Sequence, residues 1–222
     1  MDNSYKRAVL FLSGLVLVSL FLSAQARAEL YVAGEGGYTM PNNLEHVEGR
    51  GTQGGVQFSD LSLKNSYLYG ARVGYFLAEP KEGGLGVEIE AYNTTPSVSQ
   101  QTATRSSGGP LSVNGVRLRM TTAAVNLVAR TPRFKEFQPY AGVGLGFFVS
   151  ETSGTAATST SNTAGLNTFV GLRYFFKERF ALFGEYKYNR TSLHYENFLG
   201  PNAGIRATYS TNLFIGGLAY HF

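Results

Sequence analysis

From Leu30 to the end of the chain, apolar residues recur at every second position in eight successive stretches. That period belongs to a strand whose two faces meet different surroundings. Leu30, Val32 and Tyr38 share a face with Gly34 and Gly36, opposite Tyr31, Ala33, Glu35 and Gly37. Tyr67, Tyr69, Ala71, Val73, Tyr75 and Leu77 oppose Gly70, Arg72 and Gly74, and Leu85, Val87, Ile89 and Ala91 oppose Glu88 and Glu90. In the fourth stretch Val116, Leu118 and Met120 oppose Arg117 and Arg119, after which the apolar set moves to Ala123, Val125, Leu127 and Ala129. This slip of phase predicts a β-bulge near Thr121 or Thr122. Ala141, Val143, Leu145, Phe147 and Val149 then oppose Gly142, Gly144 and Gly146, and Leu166, Val170, Leu172, Tyr174 and Phe176 oppose Asn167 and Arg173. Phe180, Leu182, Tyr186 and Tyr188 oppose Glu185 and Lys187; Phe214, Leu218, Tyr220 and Phe222 oppose His221.

Every strand charge thus falls on the less apolar face: Glu35, Glu88, Glu90 and Glu185 against Arg72, Arg117, Arg119, Arg173 and Lys187. Near-balanced charge among many of the 27 glycines suits an enclosed interior better than a watered surface. The apolar face carries its aromatics toward the strand ends, where a bilayer has its two interfaces. Beyond the first thirty residues no apolar run approaches the roughly 20 residues of a spanning helix. Connections alternate long and short: 40–66, 78–84, 94–114, 131–136, 150–165, 177–179 and 189–206. The expected fold is therefore all-β, an eight-stranded antiparallel transmembrane up-and-down β-barrel narrow enough for its own side chains to fill. On this reading Arg117 and Arg119 face the lumen and Leu118 faces lipid near the midplane.

The amino-terminal residues read differently. Lys6 and Arg7 precede an apolar stretch from Ala8 to Leu22, and Ala26-Arg27-Ala28 is a small-x-small cleavage site. A signal peptide is expected at 1–28, leaving a barrel domain at 29–222. Cleavage removes three of the 19 basic and one of the 15 acidic residues, so the formal charge falls from +4 to +2. Export and so small a charge argue against nucleic-acid binding. The absence of cysteine excludes a disulfide scaffold, a thiol nucleophile, a Cys-ligated zinc site and a lipoprotein anchor.

Gln138-Pro139-Tyr140-Ala141-Gly142-Val143-Gly144-Leu145-Gly146-Phe147 resembles the fifth strand of the outer-membrane barrel family that includes opacity-type surface proteins and the transmembrane domain of outer membrane protein A. Leu182-Phe183-Gly184-Glu185-Tyr186-Lys187-Tyr188 is similar to that family's seventh strand, and Gly216 to Phe222 to its last. The resemblance covers residues 29–222 and implies an integral outer-membrane protein with periplasmic termini and a structural or surface-interaction, adhesin-like role. A small-solute channel and a lipid A-modifying hydrolase are the alternatives. Two departures stand out: Trp is absent, so Tyr and Phe must form the interfacial girdles, and, with the barrel's last strand running to Phe222, the peptidoglycan-binding domain of larger relatives is not expected.

No catalytic residue, metal site or cofactor is expected. The Gly142, Gly144 and Gly146 series continues into Phe147-Phe148-Val149, a strand and not the helix a nucleotide fingerprint requires. Ser192, His194 and Glu196 have the residue types of a hydrolytic triad, but alternate strand positions lie about 7 Å apart. His46 and His221 lack companion ligands at metal spacing. Expected partners are outer-membrane lipid and lipopolysaccharide, an extracellular ligand held by the loops, and the barrel-insertion machinery, which would read Phe214, Leu218, Tyr220 and Phe222. Within the first and last long connections, Leu44, Val47, Arg50, Phe58 and Leu61 with Leu193, Tyr195, Phe198 and Arg206 are the expected binding anchors.

Overall fold

The computed structural model describes residues 28–222 apart from 53, 80, 108, 114–115, 154–159 and 201. The expected signal segment, but for Ala28, lies outside the described residues. Eight long strands form one antiparallel sheet: β1 (Glu29–Pro41), β2 (Ser66–Phe76), β3 (Gly84–Thr94), β4 (Val116–Arg130), β5 (Phe137–Ser153), β6 (Thr160–Lys177), β7 (Phe180–Gly200) and β8 (Ala203–His221). Each pairs with its neighbours in chain order, and β8 returns to pair with β1 from Tyr31–His221 to Pro41–Thr211. Closure is what a bilayer demands, because an open edge would leave backbone groups that lipid cannot satisfy.

Short turns at 77–83, 131–136 and 178–179 lie at the same end as Glu29 and Phe222. At the opposite, loop end, the long connections are largely extensions of the barrel wall. The segment expected to loop at 189–206 is a hairpin, β7 pairing with β8 from Phe180–Tyr220 to Gly200–Ala203. Its turn places Asn202 at φ 57°, a left-handed conformation that Asn tolerates. Glu45–Gly51 then pairs with Ala203–Thr208, and Gln57–Phe58 folds back on Val47 and Glu48. Leu63–Lys64 pairs with Ser97–Val98, which joins β4 at Val116 and Arg117.

Side chains alternate between interior and exterior along every long strand, and β4 shows what this means at the membrane boundary. Leu118, Met120, Thr122, Ala124, Asn126, Val128 and Arg130 are all buried, and every odd-numbered residue from Arg117 to Ala129 is exposed. Pairing with β3 and β5 runs through this stretch without a shift, so there is no bulge at Thr121 or Thr122. Three expectations fail together: Arg117 and Arg119 face outward, away from the lumen, and Leu118 is only 1% exposed and points inward. What changes along β4 is the surroundings and not the register. Beneath Thr121 the outside is apolar and the inside polar; above it the wall leaves the apolar zone and the polarity inverts.

Leu30, Val73, Ile89, Val125, Leu145, Val170, Leu182 and Leu218 form the exposed apolar belt. Aromatic rings border it on both sides. Near the turn end Phe137 packs on Tyr174 at 5.2 Å, and Phe176, Phe180, Tyr220 and Phe222 follow one another at 4.9–6.0 Å between centroids. Toward the loop end Tyr38 meets Tyr67 edge-on at 5.7 Å. Tyr and Phe alone supply both girdles.

Candidate functional site

The interior is filled in tiers. At the turn end, Glu29 on β1 bonds His221 on β8 and lies 2.5 Å from the Arg130 guanidinium of β4. Arg130 stacks over Phe76 at 3.7 Å. One tier further in, Arg173 is enclosed by the rings of Tyr31 and Tyr140, at 4.4 and 4.6 Å, and of Phe76 at 5.3 Å.

The middle of the lumen holds an ionic network around Arg72. Its Nε donates to Glu35 Oε2 at 2.7 Å and its terminal nitrogens to the Glu185 oxygens at 2.8 and 3.2 Å. Glu88 and Glu90 lie at 3.4 and 3.6 Å. Lys187 pairs with Glu90 and lies 3.4 Å from Glu185. Neutral donors add to these pairs: Tyr140 hydroxyl to Glu185 at 2.9 Å, Tyr31 hydroxyl to Glu88, and Asn167 and Asn126 amides to Glu90 at 2.7 and 3.2 Å, whereas Glu35 Oε1 accepts from no side chain among the described residues. The lumen residues singled out in the sequence are therefore divided. Glu35, Arg72, Glu88, Glu90, Arg173, Glu185 and Lys187 are buried inside, whereas Arg117 and Arg119 are outside. Asn167 lies on the inward face expected for it, whereas Glu29, Asn126 and Arg130 are interior partners that the sequence reading did not name. The available signal was parity, since Asn126 and Arg130 alternate with the apolar Val125, Leu127 and Ala129.

Glycines leave the space these groups occupy. A Cβ at Gly142 would overlap the Phe169 ring, and one at Gly144 the Asn126 amide. Toward the loop end the tiers become neutral and then apolar. Asn189 bonds Tyr92, Thr39 bonds Thr211 at 2.8 Å, and Ser150 bonds Tyr195. Above them Leu44, Val47, Leu61, Val98, Leu118, Met120, Phe148, Leu193, Tyr195 and Ile205 make a second core inside the extended wall.

The model of the family described as "Outer membrane protein beta-barrel domain" matches residues 13–222. The chain belongs to that outer-membrane β-barrel family. Among solved structures it is similar to the outer membrane protein OprG of Pseudomonas aeruginosa, at 16% identity and a TM-score of 0.64 over 88% of this chain and 96% of that one. It is also similar to Neisserial surface protein A, at 14% identity and a TM-score of 0.50 over 87% and 97%. No curated protein matches at significance. At these identities the likeness carries the fold.

In this barrel the expected loop anchors change role. Leu44, Val47, Leu61, Leu193 and Tyr195 are buried in the upper core, and Phe58 packs partly against it. The Phe198 side chain lies outside those described. What the tip exposes is polar: Glu48, Arg50, His194, Glu196 and Arg206 point outward on three adjacent strands. Partial burial, then the charges of Arg206 and Arg50, lowers the pKa of His194. A groove of about 490 Å³ opens beside it, lined by Glu45, His46, Val47, Glu48, Gln57, Phe58 and Asp60. Ser192, His194 and Glu196 take successive outward positions on β7, and the His194 backbone N–H donates to Ser161 Oγ at 2.9 Å. Such spacing, about 7 Å from one to the next, suits a surface and not a proton relay.

Proposed function

We propose that this outer-membrane barrel stands with its termini in the periplasm and its β7–β8 tip outside the cell, as a non-catalytic surface-interaction protein. The observation that carries this reading is the packed interior: charged, aromatic and apolar tiers follow one another from Glu29 to Leu44, leaving recognition to the outer surface. The upper core supports it, because an apolar interior beyond the lipid zone holds the tip as a shaped surface instead of a set of mobile loops. Arg50, Arg206 and the groove around His46 are then the contact residues, since exposed Arg beside a partly apolar groove is a common source of binding energy. Lipopolysaccharide surrounds the belt, and the outward Phe214, Leu218, Tyr220 and Phe222 serve the insertion machinery.

The test has two parts. An epitope placed between Gly54 and Gly55 is expected to be labelled on intact cells; labelling only after permeabilisation overturns the orientation. Cells displaying the wild type and an Arg50→Ala/Arg206→Ala variant are then panned on immobilised glycans, matrix proteins and serum proteins. A ligand retained by the wild type and lost by the variant supports the reading, and no retention on any of them reduces the role to a structural one.

A further inference from the structure

Outward-facing residues on β2, β3 and β4 form a ladder of rows whose polarity rises toward the loop end. Val73, Ile89 and Val125 lie side by side, then Ala71, Ala91 and Ala123. Next come Tyr69, Asn93 and Thr121, with the Asn93 amide donating to Thr121 Oγ1 at 2.8 Å. Leu68, Thr94 and Met120 are in register, which puts Tyr67, Thr95 and Arg119 in the following row. Ser66 Oγ holds Thr95 there by accepting its N–H at 2.9 Å. The top row is Lys64, Ser97 and Arg117, each end paired to Ser97. Lys64, Arg117 and Arg119 are exposed, and Tyr67 is 79% exposed.

With strands about 4.8 Å apart and alternate residues about 7 Å apart, the three cations fall within one headgroup's width. Glu151 faces Arg119 from β5, and β6 carries Thr160 and Asn162 at that height, so the cationic cluster is confined to this side. Apolar wall, small-residue rows, amide and hydroxyl row, exposed tyrosines and clustered cations repeat in order the chemistry of a lipid: acyl chains, linkage, sugar, phosphate. We propose that Lys64, Arg117 and Arg119, with Tyr67, Thr95 and Ser97, bind the phosphorylated saccharide headgroup of an outer-leaflet glycolipid whose chains lie over Ala91 and Ile89. The site rests on the outward orientation of the loop end argued above; its test does not depend on that orientation.

Purified protein in detergent is titrated with bisphosphorylated lipid A, phosphatase-treated lipid A and phosphatidylethanolamine, and bound lipid is counted by native mass spectrometry. The wild type is expected to retain the bisphosphorylated lipid about tenfold or more over the other two, since each cation near a charged headgroup favours binding. The Lys64→Ala/Arg117→Ala/Arg119→Ala variant loses that preference, whereas Arg133→Ala/Lys135→Ala at the turn end keeps it. Heat-modifiable gel mobility checks folding of each, and Arg119→Gln alone gives a partial loss should the triple variant misfold. Equal retention by the triple variant, equal binding of the dephosphorylated lipid, or full displacement by millimolar inorganic phosphate overturns the proposal.

Discussion

Replacing Arg72 by Leu would leave Glu35, Glu88 and Glu185 without the guanidinium that joins them, with Lys187 still 3.4 Å from Glu185. Breaking a buried pair from one side typically costs about 3–5 kcal/mol, so the variant is expected to unfold at clearly lower urea from lipid vesicles. Gly142→Val tests packing instead of charge: the added methyl groups meet the Phe169 ring, and an overpacking cost of about 1–3 kcal/mol is expected in the same titration. Leu118→Arg and Val125→Arg separate the two zones of β4. Val125 is 49% exposed on the apolar belt, and a charge there costs about 2–4 kcal/mol of barrel stability. Leu118 is part of the upper core. A charge at this position is expected to raise protease sensitivity of the tip while the barrel keeps its folded gel mobility.

At the scale of the strand, β8 makes the closing contact, and the outward residue just past its end is Phe222, whose N–H donates to the Leu30 carbonyl at 2.9 Å. Deleting Phe222 is expected to lower the outer-membrane yield and leave protein in the periplasm, measured by fractionation; an unchanged yield would count against both the insertion signal and the closing role. The alternation of residues was enough to find all eight strands, because lipid outside and a polar lumen inside impose opposite demands on neighbouring positions. It misjudged the upper part of β4 for a physical reason. Leu118 and Met120 avoid water by pointing into a core, Val125 and Leu127 by pointing into lipid, and the chain records only that each is apolar. The same ambiguity turned Leu44, Val47, Leu193 and Tyr195 from buried ballast into supposed anchors. Which carboxylate meets which cation depends on strands far apart in sequence, as Arg72 and Glu185 are, and the period of a single strand contains no such information.

For the molecule as a whole, an interior filled from rim to tip predicts that wild-type protein in a planar bilayer gives no large, steady ion conductance. A stable open level would contradict the packed lumen, in which Arg72 and Lys187 are already paired with Glu35, Glu90 and Glu185. The β7–β8 hairpin has a second consequence, one of reach. Beyond Arg190 and Ser210 it continues past the apolar belt, paired as far as Tyr195–Ile205 and again at Gly200–Ala203, and the β8 arm from Ser210 to Ala203, at about 3.3 Å per residue with a barrel tilt near 40°, adds roughly 18 Å of height. On the proposed orientation, a turret of that stature, stiffened from within, carries its groove above the headgroups, so a large approaching partner would meet the tip before it met the membrane.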